Sequence, residues 1–215
     1  MNFNQLPLPE FFKQYYQKFL CLTPAQEKAV KAGLLENKSL LICAPTASGK
    51  TLVATMGIIN TLDKGKAIYL VPLKALANEK QKEYSNLFQN TKYKVIKSTG
   101  DIDSNSSHLA NYDLLILTTE KLDSLLRHRV QWLAEIKTVI IDEIHLLNDQ
   151  RRGPTLEIII TLLKQLIKPQ IIALSATIGN PEELAQWLGA ELVLDTWRPV
   201  ELKQGIILDG KTEFY

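Results

Sequence analysis

Seven short apolar runs, spread along most of the chain, limit how this sequence can fold. They occupy residues 40–43, 67–71, 95–98, 114–118, 138–142, 171–175 and 192–194. Apolar and polar residues do not alternate in these runs, a pattern typical of parallel strands buried on both faces. Amphipathic stretches lie between the runs, so strand and helix alternate. This order predicts an α/β fold with right-handed crossovers: a mostly parallel sheet of about seven strands with helices on both faces.

The composition indicates one globular domain and excludes several classes of protein. The chain has 215 residues, of which 46% are hydrophobic, and a formal net charge of +2. It has no apolar run of about 18 residues that could cross a membrane, and residues 1–12 lack the regions of a signal peptide. Cys21 and Cys43 lack the spacing of metal ligands. We expect a cytoplasmic protein without membrane contact, whose binding of any nucleic acid depends on local patches.

The first apolar run continues into a loop typical of phosphate binding. Residues 40–51 read Leu-Leu-Ile-Cys-Ala-Pro-Thr-Ala-Ser-Gly-Lys-Thr, and a helical pattern follows. At such a helix start, backbone N–H groups surround the phosphates, Lys50 reaches the β and γ phosphates, and the Thr51 hydroxyl holds Mg²⁺. The loop residues that this pattern assigns to the nucleotide are Thr46, Ala47, Ser48, Gly49, Lys50 and Thr51.

Two alanines depart from the strict form of this loop. Ala44 stands where the pattern has its first glycine, and Ala47 stands where glycine is common. The loop must therefore accept a Cβ at both positions, and a positive φ is costly for any residue except glycine. The alternative interpretation is an ordinary strand-to-helix turn that contains Ser-Gly.

Two adjacent carboxylates end the fifth apolar run. Asp142 and Glu143 follow residues 138–141 in the sequence Thr-Val-Ile-Ile-Asp-Glu-Ile-His. Together with a phosphate loop, Asp142 would hold Mg²⁺ through water, and Glu143 would orient and deprotonate the attacking water. The alternative is a pair of solvated side chains at a strand end.

Three stretches, residues 44–51, 142–145 and 175–177 (Ser-Ala-Thr), resemble motifs I, II and III, respectively, of superfamily-two helicases of the DExH kind. Residues 22–26, 72–79, 118–123, 151–157 and 187–190 make the superkiller-like group the most similar, especially its archaeal DNA-repair helicases. The resemblance implies a RecA-like P-loop domain in which the motif III strand lies between the P-loop strand and the Asp142 strand. It also implies that residues 1–200 form the first, ATP-binding domain and that residues 201–215 begin a linker or strand toward a second RecA-like domain.

The resemblance assigns further roles around the nucleotide. Gln26 would recognise the adenine edge, although Thr23-Pro-Ala-Gln26 also has the pattern of a helix capping box. His145, Ser175 and Thr177 would couple the state of the phosphates to domain movement. The alternative for His145 is a hydrogen bond to a neighbouring carbonyl.

The same resemblance implies that a nucleic-acid strand is held mainly through its sugar-phosphate backbone, largely independently of base sequence. The candidate contacts follow the ends of three strands: Pro72, Lys74, Gly100, Thr119, Lys121, Arg127 and Arg129. Each has a structural alternative, because Thr118 and Thr119 suit helix N-caps, Lys74 suits a solvated surface, and Arg127 and Arg129 suit a helix C-terminus. Arg151 and Arg152 extend the cluster of arginines along the chain.

The phosphate loop and the acidic pair favour an ATP-dependent motor domain, and the resemblance implies a 3′-to-5′ DNA helicase in DNA repair or replication restart. Its cofactors would be ATP and Mg²⁺, and its partner single-stranded or forked nucleic acid, with DNA favoured over RNA. An RNA helicase of the same group stays open, since 2′-hydroxyl contacts cannot be read from sequence. A nucleotide-gated scaffold is disfavoured by Glu143, and an unrelated P-loop ATPase by Ser175-Ala-Thr177. Without a second domain and its arginine finger, we expect weak ATP binding and poor hydrolysis.

Overall fold

The computed structural model describes residues 1–100, 106–201, 203, 205–208 and 211–214. A seven-stranded sheet, in which every described pairing is parallel, forms its centre, with the strand order β3-β4-β2-β5-β6-β1-β7. Its strands are β1 (Leu40–Cys43), β2 (Lys66–Val71), β3 (Val95–Ser98), β4 (Leu114–Thr118), β5 (Ile136–Ile141), β6 (Gln170–Ser175) and β7 (Glu191–Leu194). Each predicted run is a strand, with ends that differ by at most about two residues, so the predicted parallel sheet is confirmed.

The helices occupy the segments between the strands. They are α1 (Glu10–Tyr15), α2 (Pro24–Lys31), α3 (Lys50–Thr61), α4 (Lys74–Leu87), α5 (Thr119–Arg127), α6 (Gly153–Leu162) and α7 (Pro181–Leu188). A π-helical turn, Leu163–Ile167, continues α6. None of the helices in the described part of the chain is long and apolar enough to cross a bilayer.

Two clusters of buried side chains cover the two faces of the sheet. One cluster joins α2, α3 and α4 to Leu40 and Ile42, and the other joins α5, α6 and α7 to Leu41 and Cys43. Successive residues of β1 thus point to opposite faces, both of them apolar. This explains why the strand sequences lack alternation and confirms the prediction of helices on both faces.

Partial exposure appears at the two edges of the sheet and at the end of α6. β3 and β7 each have one neighbouring strand, and several of their residues reach solvent. Residues 156–167 have the apolar spacing of a helix buried on one face, yet Leu166 within this stretch is 62% exposed. In the π-helical turn the hydrogen bonds run to the fifth residue, which moves Leu166 off the buried face.

The carboxyl ends of β1, β6 and β5 lie side by side, with β6 in the middle. The placement of the motif III strand between the P-loop strand and the Asp142 strand is therefore confirmed. β8 (Gly205–Leu208) and β9 (Lys211–Phe214) form a separate antiparallel pair within the segment predicted to begin a linker. Residues 202, 204, 209, 210 and 215 of that segment lie outside the described residues, as do residues 101–105.

Candidate nucleotide site and nucleic-acid face

The phosphate loop leaves β1 and turns directly into α3. The Ala44 N–H donates to the Ser175 carbonyl of β6 at 3.3 Å, which ties the start of the loop to the neighbouring strand. Ala47 and Gly49 have φ values of 66° and 93°, and the φ of Ala44 is negative. The Cβ of Ala44 is thus accommodated without strain, whereas Ala47 adopts the left-handed conformation that costs a non-glycine residue about 1–2 kcal/mol.

The Lys50 ammonium lies inside the loop that it follows. Its Nζ donates to the carbonyl oxygens of Ala44 and Pro45 at 2.5 and 2.8 Å. Burial lowers the pKa of Lys50, and the carboxylates of Glu143 and Asp142 oppose this shift. The phosphate loop and the acidic pair therefore lie close enough for their charges to interact.

Thr23 and Gln26 tie the start of α2 to the same loop. The side-chain Oε1 of Gln26 accepts from the Thr23 N–H at 2.9 Å, and the Thr23 hydroxyl accepts from the Gln26 backbone N–H, which confirms the capping box. The Thr23 hydroxyl also donates to the Ser48 carbonyl at 2.8 Å, and the Gln26 amide donates to the Gly49 carbonyl at 3.1 Å. A Cβ on Gly49 would lie 2.2 Å from Gln26 Nε2, so this contact needs glycine. Adenine recognition by Gln26 stays a prediction.

Both oxygens of the Asp142 carboxylate accept a hydrogen bond. Oδ1 accepts from the Glu143 N–H at 3.1 Å, and Oδ2 accepts from the Tyr69 hydroxyl at 3.0 Å. Glu143 itself has a φ of 55°, which turns the chain sharply after β5. Tyr69 was not identified from the sequence, because its pairing with Asp142 depends on β2 lying beside β5.

The three residues predicted to couple phosphate state to movement lie at the ends of β5 and β6. His145 Nδ1 lies 3.4 Å from Glu143 Oε2. This nitrogen has no hydrogen-bond partner among the described residues, so the alternative of a hydrogen bond to a neighbouring carbonyl is not observed at Nδ1. The Ser175 hydroxyl is fully buried and has no hydrogen-bond partner among the described residues. Thr177 is exposed beyond the end of β6. The structure thus brings His145 to the acidic pair, and their coupling role stays a prediction.

A cleft of about 350 Å³ lies beside the carboxyl ends of β2 and β4. Its lining residues are Pro72, Leu73, Lys74, Gly100, Thr118, Glu120 and Arg152. Three of the predicted nucleic-acid contacts, Pro72, Lys74 and Gly100, therefore lie together. Thr118 occupies the N-cap of α5, as expected, but its buried hydroxyl makes no hydrogen bond to any described residue.

The other predicted contacts are placed differently. Lys121 is 1% exposed, which contradicts its predicted contact with a nucleic-acid strand. It belongs to the inward face of α5, next to the buried Leu122. Arg127 is exposed, and its Nε donates to Asp123 Oδ2 at 2.7 Å, at the end of the helix. Arg129 is exposed just beyond α5, and Thr119 is mostly buried at its start.

A comparison with known protein families agrees with this geometry. Residues 23–184 match the model of the DEAD/DEAH box helicase family, a stretch that covers most of the chain and includes both the phosphate loop and the acidic pair. The chain belongs to this family. The resemblance drawn from its motifs is therefore confirmed.

Curated relatives of this DEAD/DEAH box chain carry the name ATP-dependent DNA helicase Hel308. The relative from Methanocaldococcus jannaschii is 51% identical over 201 residues, which cover 90% of this chain and 17% of that protein. The relative from Pyrococcus horikoshii is 48% identical over 224 residues, which cover 99% of this chain and 31% of that protein. The chain thus spans less than a third of the length of either relative.

Solved structures of helicases share its fold. The DUF1998 helicase MrfA bound to DNA has a TM-score of 0.73 and 25% identity, over 87% of this chain and 30% of that one. The Mycobacterium smegmatis helicase Lhr bound to ssDNA and AMP-PNP has a TM-score of 0.73 and 30% identity, over 89% of this chain and 28% of that one. Both matches support the RecA-like fold predicted for this helicase-family domain.

Arg152 is a further candidate in this helicase-family domain that the sequence did not single out. It lines the cleft with Lys74 and Gly100, and it also borders a narrow gap that Thr119 and Asp142 line. The neighbouring Arg151 is exposed, and the backbone N–H groups of both arginines donate to Asp149 Oδ1 at 2.9 Å. The clustering of arginines in the sequence was a signal, but it could not separate Arg152 from Arg151.

Proposed function

We propose that this domain binds and hydrolyses ATP with Mg²⁺, as the first motor domain of an ATP-dependent, 3′-to-5′ DNA helicase. The observation that carries the proposal is the convergence of Lys50, which follows β1, with Asp142 and Glu143, which follow β5, at the same edge of the sheet, where only β6 separates the two strands. Ligands of open α/β sheets bind at such ends. A cation in the phosphate loop and two carboxylates after β5, close enough for their charges to interact, fit a magnesium–triphosphate complex.

The residues of the loop fit the phosphates of a nucleotide. The N–H groups of residues 47–51 lead into the start of α3, where the helix dipole favours an anion. Lys50 would exchange the carbonyl oxygens of Ala44 and Pro45 for phosphate oxygens. Gln26 lies against the loop through Gly49 and would recognise the adenine edge with its second amide hydrogen.

The residues of the acidic pair fit a metal and an attacking water. The Thr51 hydroxyl and the Asp142 carboxylate would hold Mg²⁺, an ion that prefers oxygen ligands and keeps several waters. The bound ion supplies positive charge that neutralises the charge developing on the phosphates. Glu143, whose side chain is 44% exposed, would accept a proton from the attacking water. His145, Ser175 and Thr177 would transmit the change in phosphate state to the neighbouring domain.

Two substitutions test the nucleotide site. Lys50→Ala removes the cation that faces the phosphates and is expected to abolish ATP binding. Glu143→Gln keeps the shape of the side chain and is expected to preserve binding while turnover is lost. Binding is measured with a fluorescent ATP analogue and turnover by phosphate release. Normal binding and hydrolysis in both variants would contradict the assignment.

We further propose that the cleft between Lys74, Gly100 and Arg152 holds the backbone of a single nucleic-acid strand. Lys74 and Arg152 supply the positive charge that a phosphate backbone would meet there. The names of the Hel308 relatives and the titles of the MrfA and Lhr structures favour DNA. ATPase stimulation by single-stranded DNA and by RNA of the same sequence, measured on the full-length protein, separates a DNA helicase from an RNA helicase.

The division into residues 1–200 as the motor domain and 201–215 as the start of a linker also stays a prediction, as does a cytoplasmic location. The second RecA-like domain would supply an arginine finger, which contributes roughly 10³- to 10⁵-fold to hydrolysis in such ATPases. These 215 residues alone should therefore hydrolyse ATP poorly and fail to unwind a duplex. Robust unwinding by this fragment would contradict the proposed division of labour.

A further inference from the structure

Two consecutive residues of β2 hold Asp142 by its side chain and by its main chain. The Tyr69 hydroxyl donates to Asp142 Oδ2 at 3.0 Å, and the Asp142 N–H donates to the Leu70 carbonyl at 3.0 Å. Tyr69 pairs with Ile140, and Leu70 pairs with Ile141, in the parallel register of β2 and β5. The metal carboxylate of the proposed site is therefore fixed by a strand that carries none of the site's sequence motifs.

The Tyr69 side chain has no freedom to turn away from Asp142. It is fully buried, and its ring centroid lies 5.8 Å from that of the buried Tyr84 on α4. Lys80 Nζ lies 5.5 Å from the centroid of the Tyr69 ring. Burial, followed by the neighbouring Tyr84 and Asp142, raises the pKa of Tyr69 well above its ordinary value. The buried ring therefore holds its hydroxyl against the carboxylate, to which the hydroxyl donates.

We propose that Tyr69 is a positioning residue that holds the Asp142 carboxylate in the orientation needed to bind the hydrated Mg²⁺ of the nucleotide complex. The inference rests on the proposed ATP site and adds a residue that no motif identifies. The hydrogen bonds from Glu143 N–H and Tyr69 fix the rotation of the carboxylate and leave each oxygen with a free lone pair. Partners of this kind, which touch a ligand and not the metal, typically contribute 10- to 100-fold to metal affinity.

Tyr69→Phe tests this inference, because it removes the hydroxyl and keeps the ring. Tyr93→Phe is the matched control: its hydroxyl donates to Asp63 Oδ1 at 2.8 Å, beyond the end of α3 opposite the phosphate loop. Binding of Mn²⁺ in the presence of ADP is measured by electron paramagnetic resonance on the full-length protein. The expected result is a 10- to 100-fold loss of Mn²⁺ affinity in Y69F, unchanged affinity in Y93F, and unchanged ADP binding in EDTA.

A double-mutant cycle with Asp142→Asn separates positioning from a general structural effect. If Tyr69 acts through the carboxylate, Y69F weakens Mn²⁺ binding in the wild-type background and has no further effect in D142N. Equal losses in both backgrounds, or unchanged affinity in Y69F, would overturn the inference. Should Y69F fail to fold, Tyr69→Met removes the same hydroxyl with a side chain that fills irregular space.

The same measurements distinguish this inference from the ATP site on which it rests. Wild-type protein that binds no Mn²⁺ with ADP, and is unaffected by D142N, would reject the site itself. A wild-type protein that loses Mn²⁺ binding in D142N but not in Y69F would reject only the role of Tyr69.

Discussion

Ala47 is the position in the phosphate loop where a single substitution should stabilise the protein. Its φ of 66° costs an alanine about 1–2 kcal/mol, and glycine adopts this conformation freely. Glycine in turn loses more backbone entropy on folding, which costs about 0.5–1 kcal/mol. Ala47 is exposed, so no buried methyl group is lost. The difference predicts that Ala47→Gly stabilises the fold by up to about 1.5 kcal/mol, or at most roughly 6 °C in Tm for a chain of this size.

Ala44→Gly is the matched control for this prediction. Ala44 is fully buried and has a negative φ, so glycine relieves no strain there. The lost methyl burial, about 0.8 kcal/mol, adds to the entropy cost, and the variant should lose about 1.5 kcal/mol. Urea unfolding of both variants, followed by circular dichroism, measures the change. Loss of stability in both variants would refute the argument from backbone strain.

Three further predictions follow from individual side chains. Arg152→Ala should reduce the slope of log K against log salt concentration, where K is the binding constant for single-stranded DNA, by about 0.7, the value for one phosphate contact. Arg151→Ala should leave this slope unchanged. Equal effects of the two substitutions would show that Arg152 does not contact the strand. Lys121→Met should leave the salt dependence unaltered, because Lys121 is buried and does not line the cleft proposed for the strand. Burial raises the pKa of Cys43 to about 11, and thiolates are the reactive form of cysteine. A thiol reagent at pH 8 should therefore label the exposed Cys21 quickly and Cys43 only after unfolding. Fast labelling of both cysteines in the folded protein would contradict the burial of Cys43.

The fold was predictable because each strand corresponds to an apolar run that is visible in its own stretch of sequence. The apolar runs at Leu40–Cys43 and Leu114–Thr118 match their strands residue for residue. Their lack of alternation follows directly from two covered faces. The resemblance supplied one part of the strand order, the place of β6 between β1 and β5, and the rest came from the structure, since hydrophobic pattern alone does not determine which strands are neighbours.

Residues of the site were predictable where those with related chemical roles are adjacent in the sequence. Lys50 and Thr51 lie in one loop, and Asp142 and Glu143 end one strand, so their spacing is visible in the sequence. Tyr69 could not be found this way, because its contact with Asp142 joins residues 73 positions apart.

Lys121 shows that a charged residue type does not by itself predict a solvent-exposed side chain. Its type and its position after β4 suggested a phosphate contact, but the face of α5 on which it lies is turned inward. Arg152 shows the converse, since its place in the cleft depends on where α6 begins relative to β2. Both outcomes are set by packing between elements that are distant in the sequence.

If the phosphate loop and the acidic pair share one metal–nucleotide complex, a crystal structure with Mn²⁺ and a non-hydrolysable ATP analogue will show it through the anomalous signal of the metal. We expect one anomalous peak beside the Thr51 hydroxyl, within reach of the Asp142 carboxylate directly or through one water. Nucleotide bound away from the loop, or a metal peak remote from Asp142, would contradict a shared complex.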